Sequence, residues 1–299
     1  MKQLVILSGK GGTGKTSVTA ALAHLATSGP QPVRTVLADA DVDAANLELV
    51  LAPQELSREE FWGGQVAQID ADLCAGCGTC EAVCRFEAVS AANGYYQVDP
   101  IACEGCAACL YQCPEGAIQM QPQMAGAWFH SHSRYGPLFH AALRPAQENS
   151  GKLVTVVKQQ ARLLALDEDY ELVLVDGPPG IGCPVISALS GADLALIVTE
   201  PTVSGAHDLQ RILETAWHFG VKTLVCLNKA DLYPGANAPL QAFCQAQGLE
   251  LVGEIPFDPV VTEAMTQGQP VTAYRPNAPA SQALESTWQR LKVVLQENY

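Results

Sequence analysis

Two groups of residues in this 299-residue chain have the types and the spacing to do chemistry. The first is Gly9-Lys10-Gly11-Gly12-Thr13-Gly14-Lys15-Thr16, followed by Ser17, which fits G-x-x-x-x-G-K-[ST]. Glycines at these places let backbone N–H groups turn onto phosphate oxygens, and the positive end of a following helix adds to the attraction. In such a loop Lys15 reaches the β- and γ-phosphates and the Thr16 hydroxyl meets Mg²⁺. The second group is cysteine. Of eleven in the chain, eight fall between Cys74 and Cys113, while Cys183, Cys226 and Cys244 stand apart. Such crowding points to metal rather than to a disulfide framework.

The surrounding sequence must position both groups. An apolar run at 3–7 predicts a buried strand before the glycine loop, and an Ala/Leu-rich run at 17–26 predicts a helix after it. A second strand at 35–38 ends in Asp39-Ala40-Asp41-Val42-Asp43, with Asn46-Leu47 beyond. Carboxylates at a strand's C-terminal end lie where open α/β sheets bind ligands. The apolar run 172–175 ends in Asp176-Gly177-Pro178-Pro179-Gly180, a strand-terminal aspartate placed to hold Mg²⁺ directly or through water. Further strands are expected at 195–199, 223–227 and 250–255. A helix at 205–219 should bury Leu209, Ile212, Leu213 and Ala216, and alternation of this kind means parallel βαβ units. The stretch 123–150 is read as irregular, with His130, His132 and His140 on a surface loop. A helix is expected to start at Glu148-Asn149-Ser150-Gly151 and run over 152–166 on Leu153, Val156, Val157, Leu163 and Leu164. A terminal helix is read over 282–297.

The cysteines form two copies of one unit. Cys74-x2-Cys77-x2-Cys80-x3-Cys84 repeats as Cys103-x2-Cys106-x2-Cys109-x3-Cys113 at an offset of 29 residues. Ile69-Asp70 matches Val98-Asp99, and Ala88-Val89 matches Ala117-Ile118, so a pseudo-twofold module is expected. The spacing resembles that of bacterial two-cluster ferredoxins, in which the fourth cysteine of each run serves the other cluster. The resemblance implies one [4Fe–4S] cluster on Cys74, Cys77, Cys80 and Cys113, and a second on Cys103, Cys106, Cys109 and Cys84. Zinc is the competing occupant, although it takes four thiolates per site without calling for this repeat. Arg85 departs from the pattern, standing where the second run has Pro114.

Lys10, directly after the first glycine, makes the loop resemble that of the MinD/ParA/Mrp group of P-loop ATPases, which includes the nitrogenase iron protein. The resemblance implies an ATP-dependent dimer, with itself or with a related ATPase, in which Lys10 reaches the partner's nucleotide. It also implies that Asp41 positions the attacking water, that Asp39 lies in the Mg²⁺ environment, and that Asn228 and Pro256 wall the adenine. Asn228-Lys229-Ala230-Asp231 also fits the N-K-x-D box by which GTPases read guanine, yet the rest of the chain matches the ATPases better. Cys183 sits near the place of a cluster cysteine in the nitrogenase iron protein, but without a second such cysteine a buried structural role is expected. Cys226 and Cys244 read as core fillers.

The fold expected is therefore α/β, a doubly wound, mostly parallel sheet of the MinD-like P-loop type, interrupted by a small α+β bacterial-ferredoxin-like domain. Its parts would be 1–61, 62–122 and 123–299. The resemblance implies an ATPase that gates electron transfer to an unidentified redox or client protein. The alternative is a carrier of iron–sulfur clusters or metal, although no C-x-x-C pair follows residue 113. A net charge of −14 argues against nucleic acid and against anionic lipid as partners. Without an apolar run of spanning length or a signal segment, a cytoplasmic protein is expected.

Overall fold

Short apolar runs rich in Val, Ile and Leu become strands buried on both faces, as parallel sheets require. The computed structural model describes residues 1–144, 149–233, 235 and 237–296. The elements begin with β1 (Lys2–Ser8), α1 (Lys15–Ser28), β2 (Thr35–Asp39), α2 (Leu47–Leu51) and β3 (Gln54–Ile69). Next come α3 (Thr79–Val83), β4 (Val89–Ala92), β5 (Tyr95–Val98), α4 (Ala108–Gln112), β6 (Ile118–Ser133) and β7 (Gly136–Leu143). The chain continues with α5 (Ser150–Asp167), β8 (Leu172–Pro179), α6 (Cys183–Leu189), β9 (Leu194–Thr199), α7 (Val203–His218) and β10 (Lys222–Asn228). It closes with α8 (Asn237–Ala246), β11 (Glu250–Ile255), α9 (Pro259–Thr266), α10 (Val271–Tyr274) and α11 (Pro279–Gln296). Two of the residues used above to mark helix ends, Glu148 and Glu297, lie outside the described residues.

The main sheet has nine strands in the order β11-β10-β9-β1-β8-β2-β7-β6-β3. Every pairing from β11 through to β7 is parallel. Side chains of a strand alternate between faces, and the core follows that period. Leu194, Leu196, Val198, Leu224 and Cys226 pack with α1 and α11, whereas Ile197, Val225 and Leu227 pack with α7 and α8. Both faces are thus covered by helices. The four expected α7 positions are all buried, and so are Cys226 and Cys244.

Three expectations are corrected. The segment 123–150 is not an irregular loop. Strands β6 and β7 occupy most of it, joined through Arg134-Tyr135, and a connection that short fits only antiparallel neighbours. The Ser133 hydroxyl closes the turn by donating to the Gly136 carbonyl at 2.8 Å. In α5 the buried face is Leu153, Val154, Val157, Ala161 and Ala165, while Leu163 is exposed. Cys183, expected inside, is exposed at the start of α6.

The chain divides into two compact units, one of 1–59, 128–142 and 150–299, the other of 60–127 and 143–149. In the smaller unit the cysteine repeat is also a structural repeat. Helices α3 and α4 fall 29 residues apart, as the cysteines do. Gly76 and Gly105 have φ of 65° and 64°, and Gly78 and Ala107 have φ of 79° and 59°. Asp70 N–H donates to the Ala117 carbonyl at 2.8 Å, and Asp99 N–H to the matching Ala88 carbonyl at 2.7 Å, so each half is closed by the other. The apolar centre is small: Ala67, Cys80, Val89, Cys109 and Ile118 are buried.

Lys158 on α5 is a buried cation with a plain structural task. Its ammonium donates to the carbonyls of Ser187 at 2.9 Å, Ser190 at 2.8 Å and Ala188, capping the C-terminal end of α6. Burial, with Arg162 nearby, pulls its pKa down to about 8. Lys158→Met should lower the thermal midpoint, because three carbonyls at the end of α6, one of them fully buried, lose their donor at a cost of about 2–4 kcal/mol. Thermal unfolding followed by circular dichroism reads this, and an unchanged midpoint would refute the capping role.

Candidate functional site

Parallel strands deliver their C-terminal ends to one edge, and the register places the acidic residues there. Asp39 pairs directly with Asp176 across β2 and β8. Both are fully buried. Asp176 accepts from Lys15 Nζ at 2.8 Å, Thr16 Oγ1 at 2.7 Å and Thr19 Oγ1 at 2.9 Å. Asp39 accepts from the backbone N–H groups of Asp41 at 3.1 Å and Leu47 at 3.0 Å, which ties β2 to α2. Asp41 stands 3.5 Å from Lys15 Nζ.

Crowding of charge perturbs these groups. Burial, reinforced by Asp176, pushes the Asp39 carboxyl well above the usual carboxylate range, against the pull of Lys15. Burial also raises Asp41, again opposed by Lys15. For Lys15, burial alone would lower the pKa, but Asp176 and Asp41 outweigh it and the ammonium is held charged.

These residues open onto a cavity of about 740 Å³, a volume suited to a nucleotide. It is lined by Gly11, Gly12, Thr13, Gly14, Lys15, Thr16 and Ser17, by Asp41, and on its far side by Asn228, Lys229, Pro256 and Phe257. A Cβ on Gly11 or Gly12 would meet open space, whereas one on Gly9 would strike Asp208 and one on Gly14 the Asn228 amide. Gly14 has φ 90° and leads into α1 with no side-chain cap, so the first-turn N–H groups face an incoming anion. The buried Thr13 hydroxyl has no hydrogen-bond partner among the described residues.

Asn228 and Lys229 hold the loop from the other side. Asn228 Nδ2 donates to the Thr13 carbonyl at 2.7 Å, and Lys229 Nζ donates to the Gly12 carbonyl at 3.0 Å. Asp231 Oδ1 accepts the Phe257 N–H at 2.6 Å, so the carboxylate of the N-K-A-D box is engaged with the protein's own backbone. Lys10 lies at the surface, ion-paired with Glu200 at 3.2 Å. Thr19 and Glu200 were not singled out from the sequence. Glu200 follows β9 at the same ligand-facing edge, a position that could have flagged it.

In the smaller unit the thiols divide three and one. Cys74, Cys77, Cys80 and Cys113 line one hollow, and Cys103, Cys106, Cys109 and Cys84 line another. All eleven cysteines are free thiols. Among the described residues no three His, Cys, Asp or Glu side chains converge as ligands of a single ion. A cubane holds its thiolates around a body of several atoms rather than a point, so four sulfurs around a hollow are the arrangement it needs.

The three histidines of 123–150 are not brought to any site. His132 is exposed, and His130 stacks on Phe139 with ring centroids 4.5 Å apart. His140 bridges Ser131 and Glu48, each at 3.0 Å. This Ser–His–Glu series has the order of a nucleophilic triad, but Ser131 is only 1% exposed, so it packs the hairpin rather than meeting a substrate.

Comparison with known proteins spans nearly the whole chain. The profile of the CobQ/CobB/MinD/ParA nucleotide-binding domain matches residues 4–271. An uncharacterised protein of Methanocaldococcus jannaschii is 32% identical over 290 residues, covering 97% of this chain and 96% of the relative. An uncharacterised ATP-binding protein of the same organism is 26% identical, covering 94% of this chain and 84% of the relative. The cell division ATPase MinD of Pyrococcus furiosus superposes with a TM-score of 0.60 at 19% identity, covering 98% of this chain and 99% of that one, a likeness of fold.

Asp176→Asn leaves three donors without their anion and removes a carboxylate from the phosphate end of the cavity. Steady-state ATP hydrolysis should fall by about 10²-fold or more with the fold retained. Near-normal turnover would show that Asp176 serves the loop's architecture alone.

Proposed function

The chain belongs to the CobQ/CobB/MinD/ParA nucleotide-binding family, and on that premise we propose that it is an ATPase whose nucleotide cycle gates electron transfer through two [4Fe–4S] clusters. ATP binding and ATPase activity go with the family. The clusters and their coupling to hydrolysis are the further step, and the observation that carries it is the three-and-one division of the eight thiols between two hollows.

At the nucleotide end the chain's residues have distinct tasks. The N–H groups of Gly11 to Thr16 wrap the β- and γ-phosphates, and Lys15 turns from Asp176 to a phosphate oxygen. Thr16 and Asp176 hold Mg²⁺, with Asp39 behind them. Asp41 accepts a hydrogen bond from the attacking water, and its raised pKa suits it to that task. Water adds to the γ-phosphorus as the bond to the bridging oxygen breaks, leaving ADP and phosphate. Phe257, half-exposed on the cavity wall, offers an apolar face to the base, beside Pro256 and Asn228. Leu47 is the first residue of α2, so exchange of charge around Asp39 is transmitted to that helix through the Leu47 N–H.

Bound clusters would supply one-electron transfer. The chain's part is to hold them. Left-handed turns at Gly76, Gly78, Gly105 and Ala107 fold each C-x2-C-x2-C loop around its hollow, and Tyr96 and Phe86 close the hollows on their apolar sides. Such a module fits retention of clusters better than their release. Pairing of two copies around ATP, and a redox partner for the cluster-bearing unit, complete the reading.

Protein purified without oxygen should contain roughly eight irons and eight inorganic sulfides per chain. Cys113→Ser should alter the EPR signal of the cluster shared with Cys74, Cys77 and Cys80, and Cys84→Ser that of the other. A single zinc per four thiols, or two variants acting on the same signal, would rule the assignment out. Removing iron with a chelator should also loosen the smaller unit, since thiols make up much of its core.

A further inference from the structure

Glu200 binds two of the three lysines beside the phosphate loop and is given no part in the reading above. Its Oε1 takes Lys229 Nζ at 2.5 Å, and its Oε2 lies 3.2 Å from Lys10 Nζ. The two lysines are held differently. Lys229 is also fixed to the Gly12 carbonyl at 3.0 Å, in a left-handed backbone conformation at φ 54°. Among the described residues the Lys10 ammonium has as its other partner only the Ser204 hydroxyl at 3.3 Å, and its side chain is 37% exposed against 13% for Glu200. One carboxylate therefore anchors one lysine to the loop and parks the other at its rim.

An ammonium in that place has a second natural partner. Lys10 is flanked by Gly9 and Gly11, within the loop whose N–H groups face the cavity. A triphosphate brought to the loop offers oxygens that compete with the Glu200 carboxylate for the same charge. Burial works against an ionised Glu200, but hydrogen bonds from Lys229 and Lys10 overcome it and hold the carboxyl below its usual range. The residue is thus an anion at neutral pH, and Lys10 leaves it only in exchange for another anion.

We propose that Glu200 is a positioning residue for nucleotide binding, competing with the triphosphate for Lys10 while keeping Lys229 on the Gly12 carbonyl. The Lys10 exchange sets how tightly ATP binds, and the Lys229 bond keeps the loop in register. The phosphate that claims Lys10 can belong to the nucleotide of the same chain or to that of a second copy. The inference rests on the ATP site, not on the clusters or on pairing of copies.

Titration of a fluorescent ATP analogue into the full chain, with Mg²⁺, tests it. Glu200→Gln keeps the shape and removes the charge, so Kd should fall by about two- to fivefold, the range set by a partly exposed ion pair. Glu200→Asp, which keeps the charge, should leave Kd near that of the unaltered protein. In a Lys10→Ala background the substitution at Glu200 should have no such effect, because the competition has lost its object. A gain that is independent of protein concentration assigns the phosphate to the same chain, and a gain that grows with it assigns the phosphate to a second copy. An unchanged or weakened affinity in Glu200→Gln, or a gain that survives Lys10→Ala, overturns the proposal. The steady-state readout separates this from simple loosening of the loop: kcat should hold as KM falls, whereas a disordered loop lowers kcat.

Discussion

The fully buried carboxylate of Asp176 is the interaction on which the rest of the structure depends. It sits at the end of β8, pairs across the sheet with Asp39, and accepts hydrogen bonds from three side chains of the glycine loop and α1. Burying an anion at this depth is costly unless it is paired and hydrogen-bonded, and Lys15, Thr16 and Thr19 meet that requirement. The cost explains why the loop is docked on β8 and not elsewhere. Burial, with the charge of Asp176 beside it, also drives up the pKa of the neighbouring acid, Asp39, against the pull of Lys15.

The glycine loop is therefore held between two supports. From one side Asp176 grips Lys15 and Thr16; from the other, Asn228 and Lys229 grip the carbonyls of Thr13 and Gly12. Those supports come from β8 and β10, which parallel pairing brings to the same edge as the loop. The glycines then have separate reasons to be glycine. Gly14 needs its positive φ and has no room beside Asn228, while Gly9 has no room beside Asp208. Arrangement of the loop's carbonyls toward the protein leaves its N–H groups for an anion, which is the physical content of the motif.

Much of this was legible in the sequence because the signals were strong and local. Continuous apolar runs gave β1, β9, β10 and β11 to within a residue at each end and the start of β8, which runs four residues further than expected, and each strand-terminal Asp or Asn fell at the ligand-facing edge. The 29-residue repeat announced a twofold unit, and the matched turns at Gly76, Gly78, Gly105 and Ala107 follow it. The misses have physical causes. β6 contains Pro122, five glutamines or histidines and two serines, so it lacks the period-2 signal that marks a strand. It is held instead by its neighbours in the sheet. The buried face of α5 runs through Ala161 and Ala165, whose small side chains carry little hydropathy, whereas Leu163, apolar but exposed, lies off that face. Ion pairs such as Lys10 with Glu200 join residues far apart in sequence, and no local pattern encodes them.

The two proposed chemistries share one chain, in which β3 and β6 each have residues in both units. Gating requires nucleotide state to alter the environment of bound clusters, and a potentiometric titration of the iron-loaded protein, followed by EPR, tests this most directly. Run with and without ATP and Mg²⁺, it should show two low-potential clusters, at least one of them shifted by an amount on the order of 60 mV, a tenfold change in the one-electron equilibrium. Two clusters with the same potentials in either condition would contradict gating, and the absence of any iron–sulfur signal from undamaged protein would contradict the cluster assignment itself.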